Sequence, residues 1–150
     1  MLKNNPKTIN ILLAEDDVDD RDFFEQAIKE MDFNCKLNFV TNGRELIDYL
    51  DESEVPHIVF LDLNMPIVSG MEALKILRHN QKYSRLVIAI YSTSSNERDI
   101  EFTLAQGANC YIIKPNKFSK LKKILKHVLS MQWQFHSNNL SIDNFVIVVN

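Results

Sequence analysis

Apolar and polar residues alternate along the chain in blocks that predict strands and helices in succession. Short apolar runs bounded by polar turns have the length and composition of buried strands. Five such runs occur, at residues 9–14, 36–40, 57–61, 86–91 and 110–113. Between and after them, apolar residues recur at three- and four-residue spacing, as on the buried face of an amphipathic helix.

The order of these elements predicts an α/β domain. Five βα units in sequence form a parallel, doubly wound sheet with helices on both faces. A strand order of 2-1-3-4-5 would make the first and third strands neighbours. Their carboxyl ends would then meet where open α/β sheets bind ligands.

Composition and charge narrow the function classes. A chain of 150 residues with 45% apolar and 25% charged residues is typical of one globular domain with a proper core. The formal net charge of −3 argues against a nucleic-acid partner, which requires a basic face. The chain shows neither a signal-peptide core nor an apolar run of membrane-spanning length, so we expect a cytoplasmic protein without a membrane partner.

Carboxylates stand directly after two of the predicted strands. Glu15, Asp16 and Asp17 follow the first strand, and Asp62 follows the third. Acidic groups gathered at one sheet edge repel one another unless a cation joins them, and hard oxygen ligands suit Mg²⁺. Glu15 and Asp16 are therefore candidate ligands for a metal ion. Asp62 offers a nucleophile that can form an acyl phosphate.

Two further polar residues follow predicted strands and complete this chemistry. Lys114, after the fifth strand, offers a positive charge, and Ser92, after the fourth, offers a hydroxyl. Three more acidic residues, Asp17, Asp19 and Asp20, lie at a predicted helix start, where negative charge suits the helix dipole. We expect them to be solvated charges.

The chain resembles the receiver domains of two-component response regulators over roughly residues 7–130. The resemblance implies a flavodoxin-like doubly wound five-stranded parallel sheet, order 2-1-3-4-5, with five helices. Four sequence pieces in order, each after a predicted strand, carry it: Leu13-Ala14-Glu15-Asp16-Asp17, Leu61-Asp62-Leu63-Asn64-Met65-Pro66 with Gly70, Ser92, and Tyr111-Ile112-Ile113-Lys114-Pro115.

The resemblance implies a role for each matched residue. Asp62 would accept a phosphoryl group from a sensor histidine kinase or a phosphotransfer protein. Asp16, Asp62, the backbone carbonyl of Asn64 and Glu15, directly or through water, would hold Mg²⁺. Lys114 would pair with the phosphoryl oxygens.

A conformational switch is also implied by the resemblance. Ser92 would move toward the phosphate and let Tyr111 rotate inward, which alters the face built from helix four, strand five and helix five. The Lys114–Pro115 bond would be cis. The chain departs from the commonest family pattern at three positions: Glu15 stands where Asp is commoner, Ser92 where Thr is commoner, and Thr93 where many members have Ala. Because Thr93 makes the phosphoryl pocket less open to water, we expect a longer-lived acyl phosphate.

We divide the chain into a receiver domain, residues 1–130, and a C-terminal extension, residues 131–150. The extension contains a strand-like apolar run at residues 145–149 that is too apolar to lie free in water. Three arrangements of this run are open: it packs on the receiver, it pairs with a sheet edge, or it exchanges with a second subunit in a homodimer. Because the sequence offers no helix-turn-helix and no second catalytic motif, we expect output through an unknown downstream protein.

Two other functions compete with a single-domain response regulator. A hydrolase of the haloacid dehalogenase type also uses a strand-end Asp with Mg²⁺, but it requires a second Asp two residues later, where this chain has Asn64, and it places the motif after the first strand. A binding module that keeps the fold without phosphorylation is the other alternative. We favour the phosphoacceptor, whose only chemistry is its own phosphorylation and dephosphorylation.

Overall fold

Five parallel strands form a single sheet in the computed structural model, which describes residues 8–131 and 142–149. Their order is β2-β1-β3-β4-β5, which confirms the predicted topology. The strands are β1 Ile9–Ala14, β2 Cys35–Val40, β3 Ile58–Leu61, β4 Val87–Ser92 and β5 Cys110–Ile113.

Helices follow each of the five strands, as predicted, and a sixth short helix lies near the C-terminus. They are α1 Val18–Lys29, α2 Gly43–Glu52, α3 Gly70–Arg78, α4 Glu97–Ala105, α5 Phe118–Leu129 and α6 Ile142–Phe145. None of the helices in the described part of the chain has the length and apolar character required to cross a bilayer.

Polar side chains fix where three of these helices begin. Asp17 accepts a hydrogen bond from the backbone of Asp19, Asn42 from that of Glu45, and Asn96 from that of Arg98. Such N-caps satisfy backbone N–H groups that the first helical turn leaves unpaired. Since these caps follow β1, β2 and β4, they set the loops at the carboxyl edge of the sheet.

Two apolar clusters cover the two faces of the sheet. Alternate residues of β1 point to opposite sides, so Leu12 belongs to one cluster and Leu13 to the other. On the side of α1 and α5, the ring of Phe24 packs edge-on against Phe60 and Tyr91, with centroids 4.9 and 5.4 Å apart. All four residues of β3 are buried, as expected for a central strand.

The C-terminal segment differs from the predicted strand. Phe145 ends α6, and only Val146 pairs with the sheet, through an isolated parallel bridge to Tyr111. The backbone N–H of Ile147 donates to the Tyr111 carbonyl at 2.9 Å. Phe145 is fully buried and Ile147 is buried as well, so burial of two apolar side chains, rather than a paired strand, holds this segment on β5. Residues 1–7, 132–141 and 150 of the two predicted domains lie outside the described residues.

Two further expectations need correction. The fourth strand ends one residue later than predicted, so Ser92 lies within β4 and is in register with Ile113 of β5. The predicted cis bond between Lys114 and Pro115 is wrong, because the described residues contain no cis peptide. The trans form is the intrinsically favoured one even before proline, and the turn after β5 is made with it.

Candidate functional site

Glu15 and Asp62 lie side by side at the carboxyl edge of the sheet. They directly follow Ala14 and Leu61, which are in register in the pair β1–β3. The backbone N–H of Asp62 donates to the Ala14 carbonyl at 3.0 Å, which continues the ladder into the site. Neighbouring parallel strands therefore bring two acidic residues that are far apart in sequence into one pocket.

Three carboxylates at this edge form a candidate metal centre. Glu15, Asp16 and Asp62 each offer an oxygen, and these oxygens lie within 4.8 Å of one another. Glu15 and Asp62 are buried whereas Asp16 is exposed. Asn64, the fourth predicted ligand, follows in the next loop, and its backbone N–H donates to Asp62 Oδ1 at 3.3 Å. Hard carboxylate oxygens open to water on one side fit a divalent cation such as Mg²⁺.

Lys114 projects into the same pocket from the end of β5. Its Nζ lies 2.5 Å from Glu15 Oε1, 2.8 Å from Asp20 Oδ2 and 3.4 Å from Asp62 Oδ2. The backbone of Lys114 is fixed by a hydrogen bond from its N–H to the Ser92 carbonyl, 2.8 Å long. The ammonium therefore joins three carboxylates that would otherwise repel one another.

Burial and neighbouring charges shift the pKa values of Glu15 and Lys114 in the absence of a metal ion. Burial, together with the neighbouring Asp62 carboxyl, raises the pKa of Glu15 to about 8, against the lowering effect of Lys114. Burial alone would lower the pKa of Lys114, but its carboxylate partners Asp20, Glu15 and Asp62 raise it above its ordinary value. Lys114 is therefore charged at neutral pH, while Glu15 loses its proton less readily than an exposed carboxyl group does.

Ser92 and Tyr111, the two residues predicted to act as a switch, both contact Ser94. The Ser92 hydroxyl oxygen accepts a hydrogen bond from the Ser94 backbone N–H at 3.1 Å. The Tyr111 hydroxyl donates to the Ser94 carbonyl at 2.8 Å. Both side chains are fully buried, and Tyr111 lies in the inward position. The β4–α4 loop thus connects the two residues.

Asp20 contacts Lys114, although its sequence position predicted a solvated charge. Its neighbours Asp17 and Asp19 are exposed, and Asp17 acts as the N-cap of α1. Side chains in a helix point back toward its N-terminus, so the first turn of α1 directs Asp20 over the edge of the sheet. The spacing from the N-cap marks Asp20 as a residue of the first helical turn, but its contact with Lys114 depends on where β5 ends.

Gly70 allows α3 to begin directly against the loop that follows Asp62. A Cβ atom at Gly70 would lie 2.0 Å from the carbonyl oxygen of Asp62 and 2.7 Å from the Cα of Leu63. The Gly70 N–H donates to the Leu63 carbonyl at 3.0 Å. In the same loop Ile67 has a φ of 69°, a conformation that β-branched residues rarely adopt. Close backbone packing therefore fixes the segment that carries Asp62.

Comparison with known proteins places this geometry among signalling domains. The family model described as "Response regulator receiver domain" matches residues 11–126. Response regulator Rcp1 of Synechocystis sp. (strain ATCC 27184 / PCC 6803 / Kazusa) is 27% identical over 134 residues, which cover 85% of this chain and 90% of that protein.

Solved structures show the same similarity. The crystal structure of the Mn²⁺-bound form of Rcp1 has a TM-score of 0.76 and 26% identity, covering 81% of this chain and 95% of that one. The phosphorylated cyanobacterial phytochrome response regulator RcpA has a TM-score of 0.74 and 29% identity, covering 81% of this chain and 91% of that one.

Proposed function

The chain belongs to the response regulator receiver family, and on that premise we propose that it is a phosphoacceptor signalling protein rather than a multiple-turnover enzyme. Asp62 accepts a phosphoryl group from a sensor histidine kinase or a phosphotransfer protein in the cytoplasm. The observation that carries the proposal is the meeting of the Lys114 ammonium with Asp62 and Glu15 at the ends of β5, β3 and β1.

The transfer step uses the Asp62 carboxylate as nucleophile. Its oxygen forms a bond to phosphorus while the phosphorus–nitrogen bond of the donor phosphohistidine breaks, and the electron pair remains on the imidazole. The product is an acyl phosphate, which water later hydrolyses to return the free carboxylate. Lys114, which lies 3.4 Å from Asp62, pairs with the phosphoryl oxygens.

Glu15, Asp16, Asp62 and the Asn64 carbonyl would hold Mg²⁺. Three carboxylate oxygens within 4.8 Å support this, and so does the Mn²⁺-bound form of the similar protein Rcp1. A bound Mg²⁺ draws negative charge off the transferring phosphoryl group.

Output passes through the switch residues and a protein–protein contact. The Ser92 hydroxyl contacts a phosphoryl oxygen and shifts the β4–α4 loop, in which Ser94 holds Tyr111. The downstream protein then recognises the face formed by α4, β5 and α5. Residues 145–147 of the extension pack on their own receiver at this face, which the burial of Phe145 supports.

Intact-mass measurement tests the phosphoacceptor. With Mg²⁺ and acetyl phosphate, the wild-type chain should gain the mass of one phosphoryl group, and Asp62→Asn should gain none. Asp22→Asn, which removes an exposed carboxylate of α1, is the matched control and should be labelled like wild type. Removing Mg²⁺ with a chelator should abolish labelling.

Two outcomes would count against the phosphoacceptor. Equal labelling of Asp62→Asn and wild type would remove Asp62 from its role. Absence of labelling with acetyl phosphate and with phosphoramidate, under conditions in which another receiver domain is labelled, would favour a binding module that keeps the fold without its chemistry.

A further inference from the structure

Asp20 is a carboxylate of the pocket that the proposed chemistry does not use. Its Oδ2 lies 2.8 Å from Lys114 Nζ. Its side chain is 35% exposed, whereas those of Glu15 and Asp62, the other two partners of Lys114, are 0% and 8% exposed. Asp20 is therefore the partner on the solvent side of the ammonium. A phosphoryl donor that approaches Lys114 from solvent meets the negative charge of Asp20 on the way.

Asp20 also competes for the hydrogen-bonding capacity of Lys114. An ammonium has three N–H donors, and here three carboxylates surround it. The shorter distances are to Glu15 and Asp20, and the longest, 3.4 Å, is to Asp62. If Glu15 turns to a metal ion, Asp20 remains the principal carboxylate that competes with an incoming phosphoryl group for Lys114.

The charge of the pocket depends on Asp20. Glu15, Asp16, Asp20 and Asp62 place four carboxylates around one ammonium. With a divalent cation bound and all four carboxylates ionised, one negative charge is left before a donor arrives. Without Asp20 the pocket would be neutral.

We propose that Asp20 is a specificity-determining residue that disfavours small phosphoryl donors carrying two negative charges. Acetyl phosphate is such a donor at neutral pH, whereas phosphoramidate, with a protonated nitrogen, has one net negative charge. Asp20 therefore shifts the preference of the site toward donors whose nitrogen is protonated, a form that phosphohistidine takes when its imidazole ring carries a proton. The inference rests on the proposed function of Asp62.

The test compares two donors on the full chain. Second-order rate constants for labelling of Asp62 are measured by intact mass, with Mg²⁺, for wild type, Asp20→Asn, Asp20→Glu and Asp19→Asn. Both transfers form the same acyl phosphate. Acetate leaves with the electron pair of the broken phosphorus–oxygen bond, and ammonia leaves with that of the phosphorus–nitrogen bond.

Asp20→Asn should accelerate labelling by acetyl phosphate by about threefold to tenfold. This is the effect expected from removing the repulsion of one charge at a partly exposed site. The effect on phosphoramidate should be about twofold to threefold, because half the net charge gives half the interaction energy and therefore the square root of the fold-change. Asp20→Glu keeps the charge and should retain the wild-type ratio between donors. Asp19→Asn removes an exposed charge one residue away and should change neither rate.

A measurement on the metal-free protein checks the contact independently of labelling. In protein carrying ¹⁵N-labelled lysine, the ammonium resonance of Lys114, assigned by its loss in Lys114→Arg, should shift in Asp20→Asn. It should not shift in Asp19→Asn. An unchanged resonance in Asp20→Asn would mean that the contact with Lys114 is absent in solution, and this would overturn the inference.

The kinetic outcomes separate the inference from the function on which it rests. A wild-type chain labelled on Asp62, with the same donor ratio in Asp20→Asn, overturns the role of Asp20 alone. Equal slowing with both donors also overturns it, because Asp20 would then orient Lys114 rather than select donors. A wild-type chain that neither donor labels overturns the proposed function and the inference together.

Discussion

Glu15 shows how burial decides the protonation of a single side chain. In the folded, metal-free protein its pKa is raised to about 8, and in the unfolded chain it returns to about 4.5. Between these values the folded state holds a proton that the unfolded state releases, so stability falls as pH rises. We expect the metal-free protein to lose about 1–2 kcal/mol of its unfolding free energy between pH 6 and 8. Urea unfolding in the presence of a chelator measures this loss.

Glu15→Gln is the matched control, because its side chain stays neutral at every pH. The difference in stability between wild type and this variant should change across pH 6–8, which separates the contribution of Glu15 from that of all other groups. With saturating Mg²⁺ the trend should disappear, since a bound cation keeps the Glu15 carboxylate ionised in the folded state, as it already is in the unfolded chain. A difference that stays constant with pH would contradict the raised pKa of Glu15.

Most residues of the site could be predicted because they end or directly follow strands. Strands are recognisable from their apolar runs, and in a parallel sheet their carboxyl ends meet at one edge, so Asp62, Lys114 and Ser92 were identified without coordinates. Asp20 was not, because it belongs to a helix start where acidic residues are common and solvated. Only the direction of the first turn of α1, relative to β5, brings Asp20 to Lys114.

At the scale of an element, the loop between β3 and α3 has no room for a side chain at Gly70. A Cβ atom there would lie 2.0 Å from the Asp62 carbonyl oxygen, so Gly70→Ala must displace backbone on one side. We expect a loss of stability of about 1–3 kcal/mol. We also expect about tenfold or slower phosphorylation, because the nucleophile moves with its backbone. Urea unfolding and the labelling rate measure the two effects.

Ser69→Ala provides the control for the Gly70 substitution. Ser69 is the N-cap of α3, and its hydroxyl accepts from the Glu72 backbone N–H at 3.2 Å. Its loss should cost about 1 kcal/mol of stability, because the helix loses its cap but Asp62 is not crowded. If Gly70→Ala is labelled at the wild-type rate, the loop adjusts without moving Asp62, and the expected slowing is wrong.

The C-terminal element was harder to predict than the others. Residues 145–149 form an uninterrupted apolar run, which resembles a strand, and nothing in the run itself indicates that Phe145 ends a short helix. The decisive factor is a space between Tyr111 and α4 that one aromatic ring fills. Such a space is produced by elements distant in sequence, so local pattern carries no signal for it.

At the scale of the whole molecule, the topology follows from few choices. Five consecutive βα units with right-handed crossovers leave a small number of strand orders, and both faces of the sheet must be covered by helices. The two apolar clusters on the two faces reflect this requirement. Apolar pattern alone did not choose between the allowed orders. The order 2-1-3-4-5 was chosen by the resemblance of the strand-end motifs to receiver domains, and the structure has that order.

A chain of contacts crosses the molecule from the site to the C-terminal segment. The Ser92 hydroxyl accepts from Ser94, whose carbonyl accepts from the Tyr111 hydroxyl. The ring of Tyr111 lies 6.2 Å from that of Phe145, and its carbonyl accepts from the Ile147 N–H. The segment therefore rests directly on a residue of the proposed switch.

Phe145 should hold this segment on the receiver. Replacing a fully buried ring by Ala removes its packing, but a segment near a terminus can detach without unfolding the domain, so we expect a loss of about 1–3 kcal/mol of stability. Exchange of the Ile147 amide hydrogen, followed by NMR, should accelerate by about tenfold or more in Phe145→Ala. Val148→Ala is the control, because Val148 is 77% exposed and contributes little burial.

The same amide distinguishes packing on the chain's own receiver from exchange between subunits. A segment that packs on its own receiver is protected to the same degree at every protein concentration. A segment donated to a second subunit loses protection on dilution, because dissociation of a homodimer exposes the Ile147 amide. Protection independent of concentration, together with its loss in Phe145→Ala, would support packing on the same chain. Fast exchange of this amide already in the wild type would contradict both arrangements, since the contact with Tyr111 would then not persist in solution.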